Sequence, residues 1–389
     1  MIHILLFVLY MLSSYVSYKV DGILSVPKED LMLERKLEII NKPLIKSIHM
    51  ESGQIVDCID IYKQPSFDNP LLKDHKLQRK PNFQNASGET RQKTLGTIPM
   101  FGLGKDECPM GTVPILRTIK DDLIKEKSLL NDHILVQDIS GVHIAEVALK
   151  PHYGPYYGVG GINSIFNPRV DTKCQISMSH LWVQNGAKES TNKISLGWHV
   201  SPQLYGDHAT HFYMSWTSDN YRRTGCYNLL CAGFVQTNRK IYFGEPISLT
   251  SQDGGPIYDV AFSISQDSVT KNWWISINEN SIGYLPAKLF SNMSSANEVG
   301  WGGRTGTHPN TQSPQMGSGH FPHDNPLHAC YFRKVSIQDN KRKTRAAKVY
   351  QTHSFTDNLK CYDVRYFGDQ DPYYYYVVLF GGPGGNCGN

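Results

Sequence analysis

The chain carries little charge and, after its first residues, has no long apolar run. Only 19% of its 389 residues are Asp, Glu, Lys or Arg, and the formal net charge is +4. A net charge this small does not indicate a nucleic-acid partner. No later apolar run approaches the roughly 20 residues that a membrane-spanning helix needs. We therefore expect neither nucleic-acid binding nor a membrane span.

Two common catalytic motifs are also absent. The pairs His208 with His211 and His320 with His323, together with His328, have metal-ligand spacing. Neither pair lies on a helix with the general-base Glu of a His-Glu-x-x-His site. Residues 317–319 read Gly-Ser-Gly, which is not the Gly-x-Ser-x-Gly elbow of a serine hydrolase. We expect structural or surface histidines, no metal and no cofactor.

The N-terminus has the profile of a secretory signal peptide. Within residues 1–18 an apolar core is followed by small polar residues. This predicts a secreted, extracellular protein, located in the apoplast or cell wall if the source is a plant. Asn85 and Asn292 begin Asn-x-Ser sequons and are candidate glycosylation sites.

Eight cysteines in an exported chain favour disulfides, although eight cysteines allow 105 pairings. Six of them lie in the first third of the chain, around one very short loop, or in the C-terminal tail. These candidate disulfide residues are Cys58, Cys108, Cys226, Cys231, Cys361 and Cys387. Cys174 and Cys330 remain, either paired with each other or as buried thiols.

The first region, residues 25–127, predicts a small mixed α+β domain. Apolar residues recur at helical spacing over 28–40, and two alternating runs at 45–49 and 55–62 read as a hairpin. The polar stretch 74–93 is predicted to be an exposed loop.

The second region, residues 136–389, predicts an all-β fold, an antiparallel β-sandwich or barrel. Short alternating runs follow one another, and only 286–290 looks helical. The charged stretch 119–136 is interpreted as a cleavable connection between the regions. The predicted strands are 176–183, 211–217, 240–243, 258–266, 272–278, 331–339 and 373–380.

Several segments together are characteristic of one family. Residues 197–207 read GWHVSPQLYGD and residues 225–237 read GCYNLLCAGFVQT. With these signatures the chain resembles the plant neprosin family, secreted glutamic peptidases that cut after proline. Supporting segments are CIDIYKQPSF at 58–67, CPMGTVPI at 108–115, QMGSGHFP at 315–322 and GGPGGNC at 381–387.

The resemblance implies a definite architecture. An activation peptide would cover the cleft until acid-triggered removal, and a sandwich of two antiparallel sheets would hold the active site on its concave face. It also implies disulfides between Cys226 and Cys231 and between Cys361 and Cys387.

The two glutamates of the family pattern are missing. One precedes the Gly-Trp of the first signature by two residues, where this chain has Ser195, and the other ends a Trp-Gly-Gly-Glu run, where this chain has Arg304. A glutamic peptidase needs one ionised and one protonated carboxyl group, and neither replacement side chain can share a proton in this way. The catalytic positions Ser195 and Arg304 are therefore both substituted.

Two hypotheses follow. The first is a secreted pseudoenzyme that keeps a peptide groove and binds a proline-containing peptide or cell-wall protein without cutting it. The alternative is an active prolyl endopeptidase with a displaced carboxylate, for which Glu245, Glu279 and Glu298 are the candidates; Glu189 and Glu298 each lie six residues before a substituted position, too far to replace it on the same strand.

Trp198 and Trp301 are candidate groove residues. Each lies three residues from a position where the family pattern has a glutamate. Their rings could stack on proline, although most of the chain's tryptophans are expected in the core.

Overall fold

The computed structural model describes residues 28–82, 102–104, 106–131, 140–322, 328–369 and 375–388. The predicted signal peptide and the sequon at Asn85 lie outside these residues. Within them the chain forms three antiparallel sheets and two helices of more than two turns.

The N-terminal region contains both long helices and a three-stranded sheet. Its elements are α1 (Lys28–Ile40), β1 (Leu44–His49), β2 (Ile55–Asp60), β3 (Thr112–Leu116) and α2 (Lys120–Asn131). The sheet order is β1-β2-β3, and β1 and β2 form the predicted hairpin. The helix and hairpin predicted for this region are confirmed.

The rest of the described chain forms a β-sandwich, which confirms the predicted fold. One sheet has the order β17-β4-β14-β6-β7-β8-β9, and the other has the order β10-β13-β12-β11-β5-β15-β19-β18, with β16 beside β15. The elements are β4 (Val142–Leu149), β5 (Gly158–Ser164), β6 (Ile176–Asn185), β7 (Asn192–Val200), the helical turn α3 (Pro202–Tyr205), β8 (Thr210–Thr217), β9 (Cys226–Tyr227), β10 (Val235–Gln236), β11 (Asp259–Gln266), β12 (Trp273–Ile277), β13 (Asn280–Leu285), β14 (Glu298–Gly306), β15 (Cys330–Gln338), β16 (Thr344–Ala346), β17 (Thr352–Thr356), β18 (Asp363–Asp369) and β19 (Tyr376–Gly381).

The core lies between these two sheets, and it contains both candidate groove tryptophans. Trp198 and Trp301 are fully buried there. Their indole Nε1 atoms donate to the carbonyl oxygens of Ser164 at 3.0 Å and Gly160 at 3.1 Å, on β5 of the opposite sheet. The expectation that they line a groove is wrong. Successive strand residues point to opposite faces, so a side chain three positions away faces the other side.

Three local predictions also need correction. Residues 240–243 form no strand, because the Asn238 side chain accepts hydrogen bonds from the backbone N–H groups of Lys240 and Ile241 and closes a turn. The helix predicted at 286–290 is a single 3₁₀ turn, Ala287–Leu289. Most of the charged connection is helix α2, because Leu123 and Leu129 give it a buried apolar side.

The polar stretch after residue 74 is a loop over its described part and is partly exposed, but it is also held to the sandwich by hydrogen bonds. Asp267, which follows β11, accepts hydrogen bonds from Gln78 Nε2 at 2.7 Å and from the Asn82 backbone N–H at 2.6 Å. The N-terminal region is therefore anchored to the turn that follows β11.

Three disulfides join the cysteines that the sequence grouped. They link Cys58 with Cys108, Cys226 with Cys231, and Cys361 with Cys387. Cys174 is exposed and Cys330 is buried, and the two do not pair.

Candidate functional site

The outer face of the seven-stranded sheet carries polar side chains in rows that run across the strands. In one row Glu146, Gly302, His180, Gly197 and Tyr213 lie side by side on β4, β14, β6, β7 and β8. A Cβ at Gly302 would lie 2.2 Å from a carbonyl oxygen of β4, and one at Gly197 would lie 1.9 Å from a carbonyl oxygen of β6. Only glycine at these two positions allows the neighbouring backbone to approach this closely.

Arg304 is bound to a carboxylate. Its Nε atom donates to Glu146 Oε1 at 2.5 Å and its Nη2 atom donates to Glu146 Oε2 at 3.1 Å. Both side chains are buried. Burial opposes ionisation of Glu146, but the Arg304 charge and a hydrogen bond from His180 outweigh it and hold the pKa of this carboxyl well below its usual range. Glu146 is therefore a fixed carboxylate.

His180 extends this network. Burial lowers the pKa of His180 to about 4, so its imidazole is neutral at and above moderately acidic pH. Glu146 can only accept, so we assign the proton to Nε2, which lies 2.9 Å from Glu146 Oε1. Nδ1 then accepts from the Tyr213 hydroxyl at 2.9 Å. The row can orient groups and carry charge, but it holds no second carboxyl group.

Ser195 lies on the same face as Arg304, but not against it. It faces Trp182 on β6 and Ser215 on β8. Arg304 pairs with Met178 on β6. Ser195 and Arg304 are therefore two strand spacings apart across the sheet, roughly 10 Å, and four residues apart along the strand direction, roughly 13 Å. The sequence predicted both positions for one site, and the structure places them on one face without direct contact.

The candidate replacement acids lie elsewhere. The Glu245 carbonyl oxygen accepts a hydrogen bond from the backbone N–H of Phe212 on β8. Glu245 therefore lies four strand spacings, roughly 19 Å, from β14. Glu279 is exposed in the turn between β12 and β13. Glu298 is on the outer face at the far end of β14, where it accepts a hydrogen bond from Gln184 Nε2 at 2.6 Å.

Helices α1 and α2 cover part of this face. Leu123 and Leu129 of α2 pack in one cluster with Met178, Tyr213 and Tyr227.

The same helix contributes a buried acid. Glu126 of α2 accepts a hydrogen bond from the backbone N–H of Tyr227 at 3.1 Å and forms an ion pair with Lys36 of α1 at 2.8 Å. The structure thus places part of the N-terminal region over the outer face.

Sequence reasoning missed three residues of this site. Glu146 is the one acid in the apolar strand VHIAEVAL, and that isolated charge was a signal for it. Lys193 could have been found from its position two residues before Ser195, on the same face. His180 gave no signal, because a histidine in an apolar strand is usually structural.

The remaining predicted residues have ordinary surroundings. His208 contacts a backbone carbonyl, and His320 and His328 flank the carboxylate of Asp253. Among the described residues, no cluster of three or more His, Cys, Asp or Glu is arranged to hold a metal ion. Asn292 is exposed.

No helix in the described part of the chain is both long and apolar enough to cross a bilayer.

Three solved structures are similar to this chain at low identity. A scytalido-glutamic peptidase with a transition-state analogue inhibitor shares 9% identity and a TM-score of 0.34, covering 62% of this chain and 98% of its own. SCP-B, an Eqolisin-family peptidase with the tripeptide Ala-Ile-His, shares 7% identity and a TM-score of 0.32 over the same fractions. CG-16, a homodimeric agglutinin from chicken liver, shares 11% identity and a TM-score of 0.23, covering 42% and 92%. Likeness at these scores says nothing about the chemistry of this chain.

Family models give the stronger result. The Neprosin activation peptide model matches residues 47–133, and the Neprosin model matches residues 173–383. The second match alone spans more than half of the 389 residues. The chain therefore belongs to the neprosin family, with the activation-peptide region preceding its neprosin domain.

Proposed function

We propose that this chain is a secreted, non-catalytic member of its family that binds a proline-containing peptide or a cell-wall protein. The sequence supports export through its N-terminal apolar segment, and the three disulfides are in keeping with an oxidising compartment.

One observation carries the proposal. Arg304 stands where the family pattern has a glutamate, and its guanidinium is bound to the carboxylate of Glu146. Peptide hydrolysis by paired acids requires a carboxylate that accepts a proton and a carboxylic acid that donates one. Glu146 is held ionised and does not donate a proton, and Arg304 does not release its proton. Ser195 has a hydroxyl group in place of a carboxyl group, so it does not supply the second acid. Each lost acid–base function typically costs ~10²- to 10⁴-fold in rate, so the loss of both removes useful hydrolysis.

The contacts that we propose for the ligand are aromatic rings on and beside the outer face, which stack in pairs and are largely buried. His199 stacks on Tyr213 at 4.3 Å between ring centroids, and Tyr205 stacks on His211 at 3.7 Å. Aromatic faces accept proline rings and peptide backbone at low entropic cost. We propose that a ligand reaches these rings when the helices above them are displaced.

A cleavage assay tests the proposal. Purified chain, with and without prior incubation at acidic pH, is mixed with proline-containing peptides and the products are read by mass spectrometry. We expect intact peptides. Specific cleavage after proline would overturn the proposal. If Glu245→Gln, Glu279→Gln or Glu298→Gln then abolished that cleavage, the displaced-carboxylate alternative would hold instead.

A gain-of-function variant sharpens the test. The double substitution Ser195→Glu with Arg304→Glu restores both glutamates of the family pattern. If the two family glutamates are all that catalysis lacks, this variant gains cleavage after proline at acidic pH, while the matched Ser195→Gln with Arg304→Gln variant stays inactive. Both variants remove the Arg304 partner of Glu146, so circular dichroism first checks that they are equally folded. Equal activity of the two variants would show that the substituted positions do not control catalysis.

A further inference from the structure

A second cluster on the outer face has hydrogen-bond donors without acceptors. We call Trp182, Lys193 and Ser195 the donor cluster; their exposed fractions are 1%, 4% and 0%. Across the described residues, Trp182 Nε1 and Ser195 Oγ have no hydrogen-bond partner. Lys193 has neither a hydrogen bond nor an ion pair with any of them, and its ammonium instead lies over an aromatic ring. A buried polar group without a partner costs free energy that a ligand can recover.

The three side chains are neighbours. Ser195 lies directly opposite Trp182 in the register of β6 and β7. Lys193 is two residues earlier on β7 and so points to the same face. Its Nζ atom lies 4.7 Å from the centroid of the Trp182 ring. The Trp182 indole lies over Gly300 on β14, on the side of β6 away from Ser195. One ligand group could therefore meet Lys193 and Trp182, and the Ser195 hydroxyl on β7 could meet a second atom of the same ligand.

The chemistry of the cluster selects an acceptor. Trp and Lys side chains only donate, and a Ser hydroxyl can donate. A primary amide would bring its own N–H groups to a site that already holds donors, whereas an ionised carboxylate offers only acceptors. Charge-assisted hydrogen bonds of this kind are also the stronger ones.

The nearby carboxylates are already engaged. Glu146 is bound by Arg304 and His180, and Glu298 is bound by Gln184. Lys193 is thus a buried cation without an adjacent anion of its own. Burial and the charge of Arg304 lower the pKa of Lys193 to about 7, against the smaller attraction of Glu146 and Glu298.

We propose that the donor cluster is a subsite for a peptide carboxylate, either an Asp or Glu side chain or the C-terminal carboxylate. This inference rests on the proposed function, because it assumes that a peptide occupies the outer face. The outer face reaches solvent at its edge strand β17. Phe355 of β17 lies directly opposite Glu146 on this face and is 44% exposed.

Binding of the carboxylate is coupled to a proton. An anion beside Lys193 raises its pKa, so the complex takes up a proton near pH 7. The charged or titratable groups facing Lys193 are Arg304 and Glu298 on β14, Glu146 on β4 and His180 on β6. Affinity for the carboxylate should be highest below about pH 7, where Lys193 is already charged, and should fall as the pH rises above it.

Calorimetric titration of the full chain at pH 6 tests the inference with three peptides of one proline-containing sequence. One carries Glu with blocked ends, one carries Gln with blocked ends, and one carries Gln with a free C-terminal carboxylate. We expect at least one carboxylate peptide to bind ~10-fold or more tightly than the blocked Gln peptide, and the comparison identifies which carboxylate is preferred. The titrations are repeated on Leu129→Asp, which weakens the packing of α2 over the face.

Variants assign the effect to the cluster. Lys193→Met should abolish the carboxylate preference, and because it removes an unpaired buried charge it should still fold. Trp182→Phe removes only one donor and should reduce the preference several-fold. The control is Lys334→Met, since Lys334 also lies beside an aromatic ring, 5.2 Å from the centroid of Tyr375, but is exposed.

The inference is overturned if both the full chain and Leu129→Asp bind the carboxylate peptides no more tightly than the blocked Gln peptide, or bind none of the peptides. It is also overturned if the carboxylate preference survives Lys193→Met. Mass spectrometry of the titrated peptides separates this inference from the proposed function. Cleaved peptides with a Lys193-dependent preference contradict only the function, and intact peptides without a preference contradict only the subsite.

Discussion

The two faces of the seven-stranded sheet use the same strands for opposite purposes. The inner face packs Trp198 and Trp301 against the second sheet, and each indole N–H reaches a backbone carbonyl there. The outer face buries the charged pair Glu146 and Arg304 beside the donors of Lys193. The stability of the inner face therefore depends on how its side chains pack, while that of the outer face depends on whether its buried charges have partners.

This difference explains how residues of the outer face can change while the fold is kept. A substitution on the outer face alters charge without removing volume from the core between the sheets. Arg304 is tolerated because Glu146 lies beside it and accepts two hydrogen bonds. A buried cation with no such partner would be costly.

The largest expected effect comes from breaking that pair. Glu146→Ala leaves the Arg304 charge buried without its carboxylate and should lower the free energy of unfolding by about 3–5 kcal/mol. Denaturant unfolding followed by tryptophan fluorescence measures the loss. The double variant Glu146→Met with Arg304→Met removes both charges and should recover most of it. A single variant as stable as the wild type would mean that the pair is not buried in solution.

The next effect is a pH dependence of stability at Glu245, which lies beside β8 and away from the Glu146–Arg304 pair. Glu245 is buried, and its Oε1 atom accepts a hydrogen bond from the backbone N–H of Gly102, in the N-terminal region, at 2.5 Å. Burial raises the pKa of Glu245 to about 8. A carboxyl whose pKa is raised on folding stabilises the folded state below its unfolded pKa, near 4.5, and that stability is lost as the pH rises toward 8.

The loss should be about 2–3 kcal/mol between pH 5 and pH 7. It is measured as the difference between the unfolding free energies of the wild type and Glu245→Gln across this range, because the variant cannot titrate there. Glu279→Gln, at an exposed turn, is the control and should leave the slope unchanged. Parallel curves for wild type and Glu245→Gln would contradict the expected burial.

An inner-face substitution should have a smaller effect and no pH dependence. Trp301→Phe removes the hydrogen bond to the Gly160 carbonyl, 3.1 Å long, and part of a buried ring. We expect a loss of about 1–2 kcal/mol in the free energy of unfolding. The loss should be the same at pH 5 and pH 7. A loss that changed with pH would place Trp301 in contact with the titrating outer side.

The same two faces mark the limit of what the sequence could predict. Alternating runs located many of the strands, but proximity in sequence misassigned Trp198 and Trp301. Each lies an odd number of residues from the substituted position beside it and thus faces the core. Strand parity alone would have corrected this.

Glu146 could not be joined to Arg304 from sequence. The two are 158 residues apart and meet only because β4 pairs with β14. The sequence also did not predict that α2 packs on the outer face. The many charged residues of α2 resemble those of a solvated connection, and only a few apolar residues, such as Leu123 and Leu129, are buried.

The smallest expected effect comes from an ion pair that lies outside both faces. Glu189 binds Arg222 at 2.7 Å, with both side chains largely exposed, so it has the chemistry of the Glu146 pair without the burial. Solvent screens such a pair, and Glu189→Gln should change the free energy of unfolding by less than about 1 kcal/mol. The same denaturant experiment as for Glu146 measures it. If Glu189→Gln lowered the free energy of unfolding as much as Glu146→Ala, burial would not explain why the charges of the outer face depend on their partners.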